Sequence, residues 1–92
     1  QKAVAWEGVR DYYKATSWNN LCVVYYNQKN YDQAIKSCDQ AIAGNAEYAL
    51  PYYNLGRIYK AKGDSAKARD YFALALKYDP NYEEAKEELK GL

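Results

Sequence analysis

The chain has 92 residues, thirteen of them Lys or Arg and twelve Asp or Glu, for a net charge of +1. That length fits one small domain burying somewhat over ~60% of its unfolded surface, and the charge balance gives no general attraction to nucleic acid or to an anionic membrane. Histidine is absent, which removes an imidazole base near neutral pH, a Ser-His or Cys-His pair and the common zinc ligand sets, and the uncharged apolar runs are too short to span a bilayer.

In chain order, residues 1–14 come first. Val4, Ala5, Val9 and Tyr12 recur at helical spacing and predict one face of a helix. That helix reads either as the remnant of a preceding unit or as a divergent cap, since Glu7 falls where such a unit wants a small apolar residue. The chain starts at Gln1 and contains no Met, as expected of a piece excised from something longer. No compartment is assigned by these residues.

Residues 15–48 and 49–82 are two copies of one 34-residue unit. Aligned without a gap, they share Ala15/Ala49, Asn20/Asn54, Leu21/Leu55, Tyr25/Tyr59, Ala34/Ala68, Ala41/Ala75 and Tyr48/Tyr82. Trp18 matches Tyr52, and Val24 matches Ile58. A fixed period of this length marks a stack of identical supersecondary units that works through the surface it builds. Within each copy, Trp18, Leu21, Cys22 and Tyr25, then Ala34, Cys38, Ala41 and Ile42, follow the spacing of amphipathic helices, as do Tyr52, Leu55, Gly56 and Tyr59, then Ala68, Phe72, Ala75 and Leu76. Four helices are predicted, at about 15–28, 31–44, 49–62 and 65–78.

The breaks inside the copies read Gln28-Lys29-Asn30 and Lys62-Gly63-Asp64. Asn30 and Asp64 are natural N-caps, and Gln33 is placed to complete a capping box with Asn30. Gly63 suits a left-handed turn residue, whereas Lys29 in that conformation costs about 1 kcal/mol relative to glycine. Gly44 ends the second helix, Pro51 sits in the first turn of the third, and Pro80 follows the fourth. A short last helix is predicted near the C-terminus, with Glu83, Glu84, Glu87 and Glu88 early and Lys90 late, the polarity that suits the helix dipole.

The run Tyr52-x2-Leu55-Gly56-x2-Tyr59, then Ala68-x3-Phe72-x2-Ala75 and Pro80, resembles a complete tetratricopeptide repeat. The first copy is similar but has Cys22 for the usual glycine, Cys38 for the aromatic and Ala46 for the proline. The resemblance implies an all-α class, an α-solenoid of helix-turn-helix units, with residues 1–92 as one domain: an N-terminal helix or partial repeat (1–14), two repeats (15–48 and 49–82) and a capping helix (83–92). In that architecture Ala34, Ala41, Gly56, Ala68 and Ala75 let paired helices approach, while Trp18, Tyr25, Tyr52 and Tyr59 fill the space between them.

The resemblance also implies a concave groove, lined by the first helix of each repeat, that holds an extended peptide or a partner's helix. Carried onto this sequence, the inward positions are Thr16, Asn19, Asn20, Val23 and Tyr26, then Leu50, Tyr53, Asn54, Arg57 and Lys60, with Glu84 and Glu87 at the far end. Asn20 and Asn54 are suited to holding a peptide backbone, Tyr26 and Tyr53 to stacking, and Arg57 with Lys60 to attracting carboxylates. The opposing reading is an ordinary solvated helix face. Repeats that grip the C-terminal carboxylate of heat-shock chaperones place basic and amide groups at positions occupied here by Asn19, Val23, Asn54, Glu84 and Glu88; only Asn54 agrees, and the glutamates repel a carboxylate.

Cys22 and Cys38 lie on opposite helices of the first repeat. They read first as two buried thiols acting as small hydrophobes, and second as an intra-repeat disulfide stabilising by ~3 kcal/mol if the Cα atoms stand near 5.5 Å apart. Two thiols alone make no metal site. No basic stripe with interleaved aromatics marks a nucleic-acid platform, and Glu83/Glu87 and Glu84/Glu88 read as solvating charges rather than an acid/base pair. The expected function is therefore a non-catalytic protein- or peptide-binding module without cofactor, with self-association through exposed repeat ends as the alternative.

Overall fold

The computed structural model describes the backbone of residues 2–92 and the side chains of residues 14–92. Among the described residues there are five helices and no strand: α1 (Lys2–Asn27), α2 (Tyr31–Gly44), α3 (Ala49–Ala61), α4 (Ser65–Tyr78) and α5 (Glu83–Lys90). Each helix packs on the next, α1 on α2, α2 on α3, α3 on α4 and α4 on α5, and α1 also touches α3. That is a stack of helical hairpins in which the first helices of successive repeats, α1 and α3, touch each other.

The first helix is longer than its sequence pattern suggests. Instead of starting near residue 15, α1 runs unbroken from Lys2, so the expected division between 1–14 and the first repeat falls inside one helix. No proline and no turn cluster interrupts this stretch, and the single Gly8 costs only about 1 kcal/mol in a helix interior. The apolar face expected of Val4, Ala5, Val9 and Tyr12, and the placement of Glu7, lie outside the described side chains.

Both intra-repeat turns have one geometry. In the first, Lys29 N–H donates to Tyr26 and Asn30 N–H to Tyr25, each at 2.9 Å; in the second, Gly63 N–H donates to Lys60 at 3.0 Å and Asp64 N–H to Tyr59 at 2.9 Å. These paired bonds satisfy carbonyls at the helix end and require a left-handed residue between them. Gly63 supplies it with φ 88°, and Lys29 is forced into it with φ 62°. The caps are less alike. The Asp64 carboxylate accepts from Lys67 N–H at 3.1 Å, whereas Asn30 makes no side-chain cap bond, so the box expected with Gln33 does not form. Between repeats the chain turns on a side chain each time: Asn45 Oδ1 accepts from Glu47 N–H and Asp79 Oδ1 from Asn81 N–H, both at 3.2 Å.

The core falls into two linked clusters. One joins Cys22, Ala34, Cys38, Leu55 and Ile58, with Tyr31, Ile35 and Ile42 of α2 against it; the other joins Tyr52, Ala68, Phe72, Ala75 and Ala85, with Leu76 and Leu89. The two repeats solve the same close approach differently. At Gly56 a Cβ would stand 2.6 Å from the Phe72 ring, so the helices meet as an aromatic edge on a bare backbone. At the matching positions of the first repeat, Cys22 and Cys38 are joined by a disulfide, with Cα atoms 5.3 Å apart and both residues fully buried. The first reading, two free thiols, gives way to the second, because helices brought this near leave the two sulfurs within bonding reach.

Candidate functional site

The face shared by α1, α3 and α5 is knit by polar and aromatic contacts. Asn54 Nδ2 donates to Asn19 Oδ1 at 2.8 Å, a buried bond between α3 and α1. The Arg57 guanidinium lies over the Tyr26 ring at 4.7 Å and reaches the Tyr53 ring at 5.7 Å, an arrangement that holds a cation without consuming its charge. Lys60 Nζ is 2.7 Å from Glu88 Oε1, tying α3 to α5. Tyr26, Arg57, Lys60, Ala61 and Glu88 together line an open depression of about 310 Å³.

These contacts sort the expected site residues. Tyr26, Arg57 and Lys60 are brought together at the depression. Tyr53 stands beside them, its ring stacked on Tyr82 at 5.0 Å and tilted against Phe72 at 5.8 Å, so it is half-buried rather than free to stack on a ligand. Asn54 and Asn19 are buried and bonded to each other, which turns the amide expected to hold a peptide backbone into an inter-repeat tie. Asn20, its sequence equivalent, is exposed, and no described residue gives it the partner that α1 gives Asn54. Val23 and Thr16 are half-exposed on α1. Leu50 goes elsewhere, into a separate depression of about 490 Å³ with Asn45, Tyr48, Tyr78 and Tyr82.

At the far end the wall is built by Glu88 rather than Glu87. Glu87 pairs with Lys90 one turn on, at 3.4 Å, whereas Glu88 faces Lys60. Spacing from Glu84 by four residues puts Glu88 on its face, and that was the available signal. Tyr82 was the other omission: as N-cap residue of α5 it reads as a connector, yet its ring packs under Tyr53.

The electrostatics follow from this packing. The Lys60 ammonium is held above its usual pKa by its hydrogen bond to Glu88 and then by that carboxylate's charge. Burial pushes the Tyr53 phenol up, partly offset by Arg57. Burial also raises Tyr82, with Tyr53 and Glu84 adding to it. Within the depression Lys60 is therefore a cation already paired with Glu88, while Arg57 has no carboxylate partner among the described residues. No group of His, Cys, Asp and Glu able to hold a metal ion occurs among the described residues, and no described helix is long and apolar enough to cross a membrane.

The tetratricopeptide repeat profile matches residues 13–81. The chain belongs to that family. Over 64 residues it is 38% identical to human tetratricopeptide repeat protein 6, covering 70% of this chain and 12% of that protein. Over 79 residues it is 34% identical to the heat shock protein sti1 homolog of Schizosaccharomyces pombe, covering 78% of this chain and 13% of that protein. It thus spans about an eighth of each curated relative. Among solved structures, the crystal structure of MamA superposes with TM-score 0.79 at 26% identity, over 83% of this chain and 44% of that one. The first tetratricopeptide domain of Spaghetti (RPAP3), bound to the HSP90 peptide SRMEEVD, superposes with TM-score 0.80 at 26% identity, over 86% of this chain and 63% of that one.

Proposed function

We propose that this tetratricopeptide unit is a non-catalytic interaction module whose α1–α3–α5 face receives an extended segment of a partner protein. The observation that carries the reading is Arg57: a guanidinium against two tyrosine rings, with no carboxylate partner among the described residues, lining an open depression. Arginine in that state offers a fork of donors to a carboxylate or to backbone carbonyls. A structural neighbour bound to a peptide supports a protein-binding role for the shared fold.

The ligand differs from an acidic chaperone tail. At the positions where that subclass places its clamp, this chain has Asn19, Val23, Asn54, Glu84 and Glu88. Asn19 and Asn54 bond each other, and Lys60 is already paired with Glu88. What remains is one cation flanked by aromatic rings, which favours a segment with a single acidic residue beside apolar ones. The test is capture of partners from extract of the source cells by the wild type and by Arg57→Glu, after circular dichroism shows both folded. A partner held by the first and lost by the second supports the face as the working surface. Equal retention by both removes it.

A further inference from the structure

The stripe of α3 that carries Arg57 continues toward the start of the helix. Leu50, Tyr53 and Arg57 are spaced i, i+3 and i+7, one face of α3. Leu50 lines the second depression, of about 490 Å³, whose other walls come from the two inter-repeat connectors and the end of α4. Tyr82 also lines it and stacks at 5.0 Å on Tyr53, which in turn meets the Arg57 guanidinium at 5.7 Å. The Tyr53–Tyr82 pair is thus a partition with a depression on either side. The second depression is walled by described residues of both repeats, so it is not a face left bare at an end of the stack.

The available charge changes sign across that partition. On the Leu50 side, Tyr48, Tyr78 and Tyr82 present half-buried rings, and Glu47 and Asp79 stand exposed among them. Neither carboxylate pairs with a lysine or arginine among the described residues. Asp79 accepts from Asn81 N–H, a bond that leaves its charge uncompensated. Lys77 lies over the Tyr78 ring at 5.4 Å but does not line the depression. Burial first, then Tyr53, Glu84 and Asp79, oppose ionisation of the Tyr82 phenol, so a negative field reaches that ring. Aromatic faces beside uncompensated carboxylates suit a guanidinium, which stacks on a ring while its N–H fork donates to an acid. The chain already seats one guanidinium on rings in this way, Arg57 against Tyr26 and Tyr53.

We propose that the depression lined by Tyr48, Leu50, Tyr78 and Tyr82 takes an arginine side chain of the same partner segment whose acidic residue meets Arg57. The proposal rests on the α1–α3–α5 face being the path of that segment, and it adds a basic residue to the segment's description. The geometry also sets a spacing. Leu50 and Arg57 are seven residues apart on α3, about 10.5 Å along the axis at 1.5 Å per residue. An extended chain covers that distance in about three residues at ~3.3 Å each. The segment therefore carries an arginine and a carboxylate about three residues apart, with apolar residues between them over Tyr53.

The probes are two capped peptides, acetyl-Arg-Leu-Ala-Glu-amide and the reverse order, because the stripe does not set the direction of the bound chain. Each is titrated into the 92-residue chain and followed by NMR, beside a version with citrulline, close in shape but uncharged, in place of arginine. One order is expected to shift the Tyr48, Leu50 and Tyr82 signals together with those of Tyr26 and the Arg57 Nε–H. Its citrulline version is expected to lose the first group of shifts, keep the second and bind at least about fivefold more weakly. Glu47→Gln with Asp79→Asn is expected to do the same to the arginine peptide. An amide at 79 keeps the turn, since Asn45 accepts the equivalent bond in the first connector. The proposal is overturned by no shift at Tyr48, Leu50 or Tyr82 with about 5 mM of either arginine peptide, by equal binding of the citrulline peptide, or by equal binding to the Glu47→Gln/Asp79→Asn variant. Shifts at Tyr26 and Arg57 alone remove the arginine subsite and leave the reading of the Arg57 depression standing; shifts at Tyr48 and Tyr82 alone do the reverse.

Discussion

Gly56→Ala isolates the contact that lets the second repeat close. A Cβ built there stands 2.6, 2.7 and 2.9 Å from three carbons of the Phe72 ring, about 1 Å inside ordinary carbon–carbon contact. The ring is fully buried and faces Tyr53 at 5.8 Å, so it has no open side to move into. Overpacking of this kind costs about 1–3 kcal/mol. The site lies within α3, where alanine exceeds glycine in helix propensity by about 1 kcal/mol, which offsets part of the loss. The net expectation is destabilisation of about 1.5 kcal/mol. For 92 residues an unfolding entropy of about 2.1 cal/mol/K per residue converts this to a fall in Tm of about 8 °C. Thermal melts followed at 222 nm measure it. Combining the change with Phe72→Leu, which withdraws the ring edge, should give a double variant less destabilised than the sum of the two singles. An unchanged or higher Tm for Gly56→Ala, or strict additivity with Phe72→Leu, would refute the view that this glycine exists to admit the ring.

Reduction of the Cys22–Cys38 bridge, or Cys22→Ser with Cys38→Ser, should lower Tm by about 15 °C, since a loop of this length is worth ~3 kcal/mol in the chain-entropy model; melts with and without reductant check it. Replacing Lys29, held at φ 62°, by glycine should raise Tm by about 5 °C through relief of ~1 kcal/mol of left-handed strain, and an unchanged Tm would remove that strain from the account. Tyr52, Tyr53, Tyr71 and Tyr82 have phenols raised above the ordinary value of 10.0, chiefly by burial. A raised folded-state pKa stabilises fully below the unfolded value and fades as pH climbs through the folded one. Stability should therefore hold to about pH 10 and fall beyond it, with tyrosinate absorbance at 295 nm rising in step with unfolding and Tyr82→Phe flattening the pH dependence.

The repeat positions dictated the fold because each was written twice. Small residues at Ala34, Ala41, Ala68 and Ala75 and turns at Lys29 and Gly63 recur in register, and local spacing alone specifies helix, turn and helix. Burial was not legible in the same way. Leu21 and Leu55 are identical in type and repeat position, yet one is 40% exposed and the other fully buried. A helix-period pattern says which face seeks cover, while only the stack decides whether a neighbour provides it. The same holds for the candidate site. Asn20 and Asn54 looked interchangeable until α1 gave Asn54 a partner in Asn19, while no described residue gave Asn20 one. Arg57 and Lys60 looked like two equal cations until α5 brought Glu88 to Lys60 and left Arg57 against Tyr26 and Tyr53. Sequence by itself determined the helices, their pairing and the chemistry available on each face. Tertiary structure decided which of those groups remain unspent, because a side chain's charge, hydrogen-bonding capacity and apolar surface stay available to a ligand only where no neighbouring helix has already satisfied them.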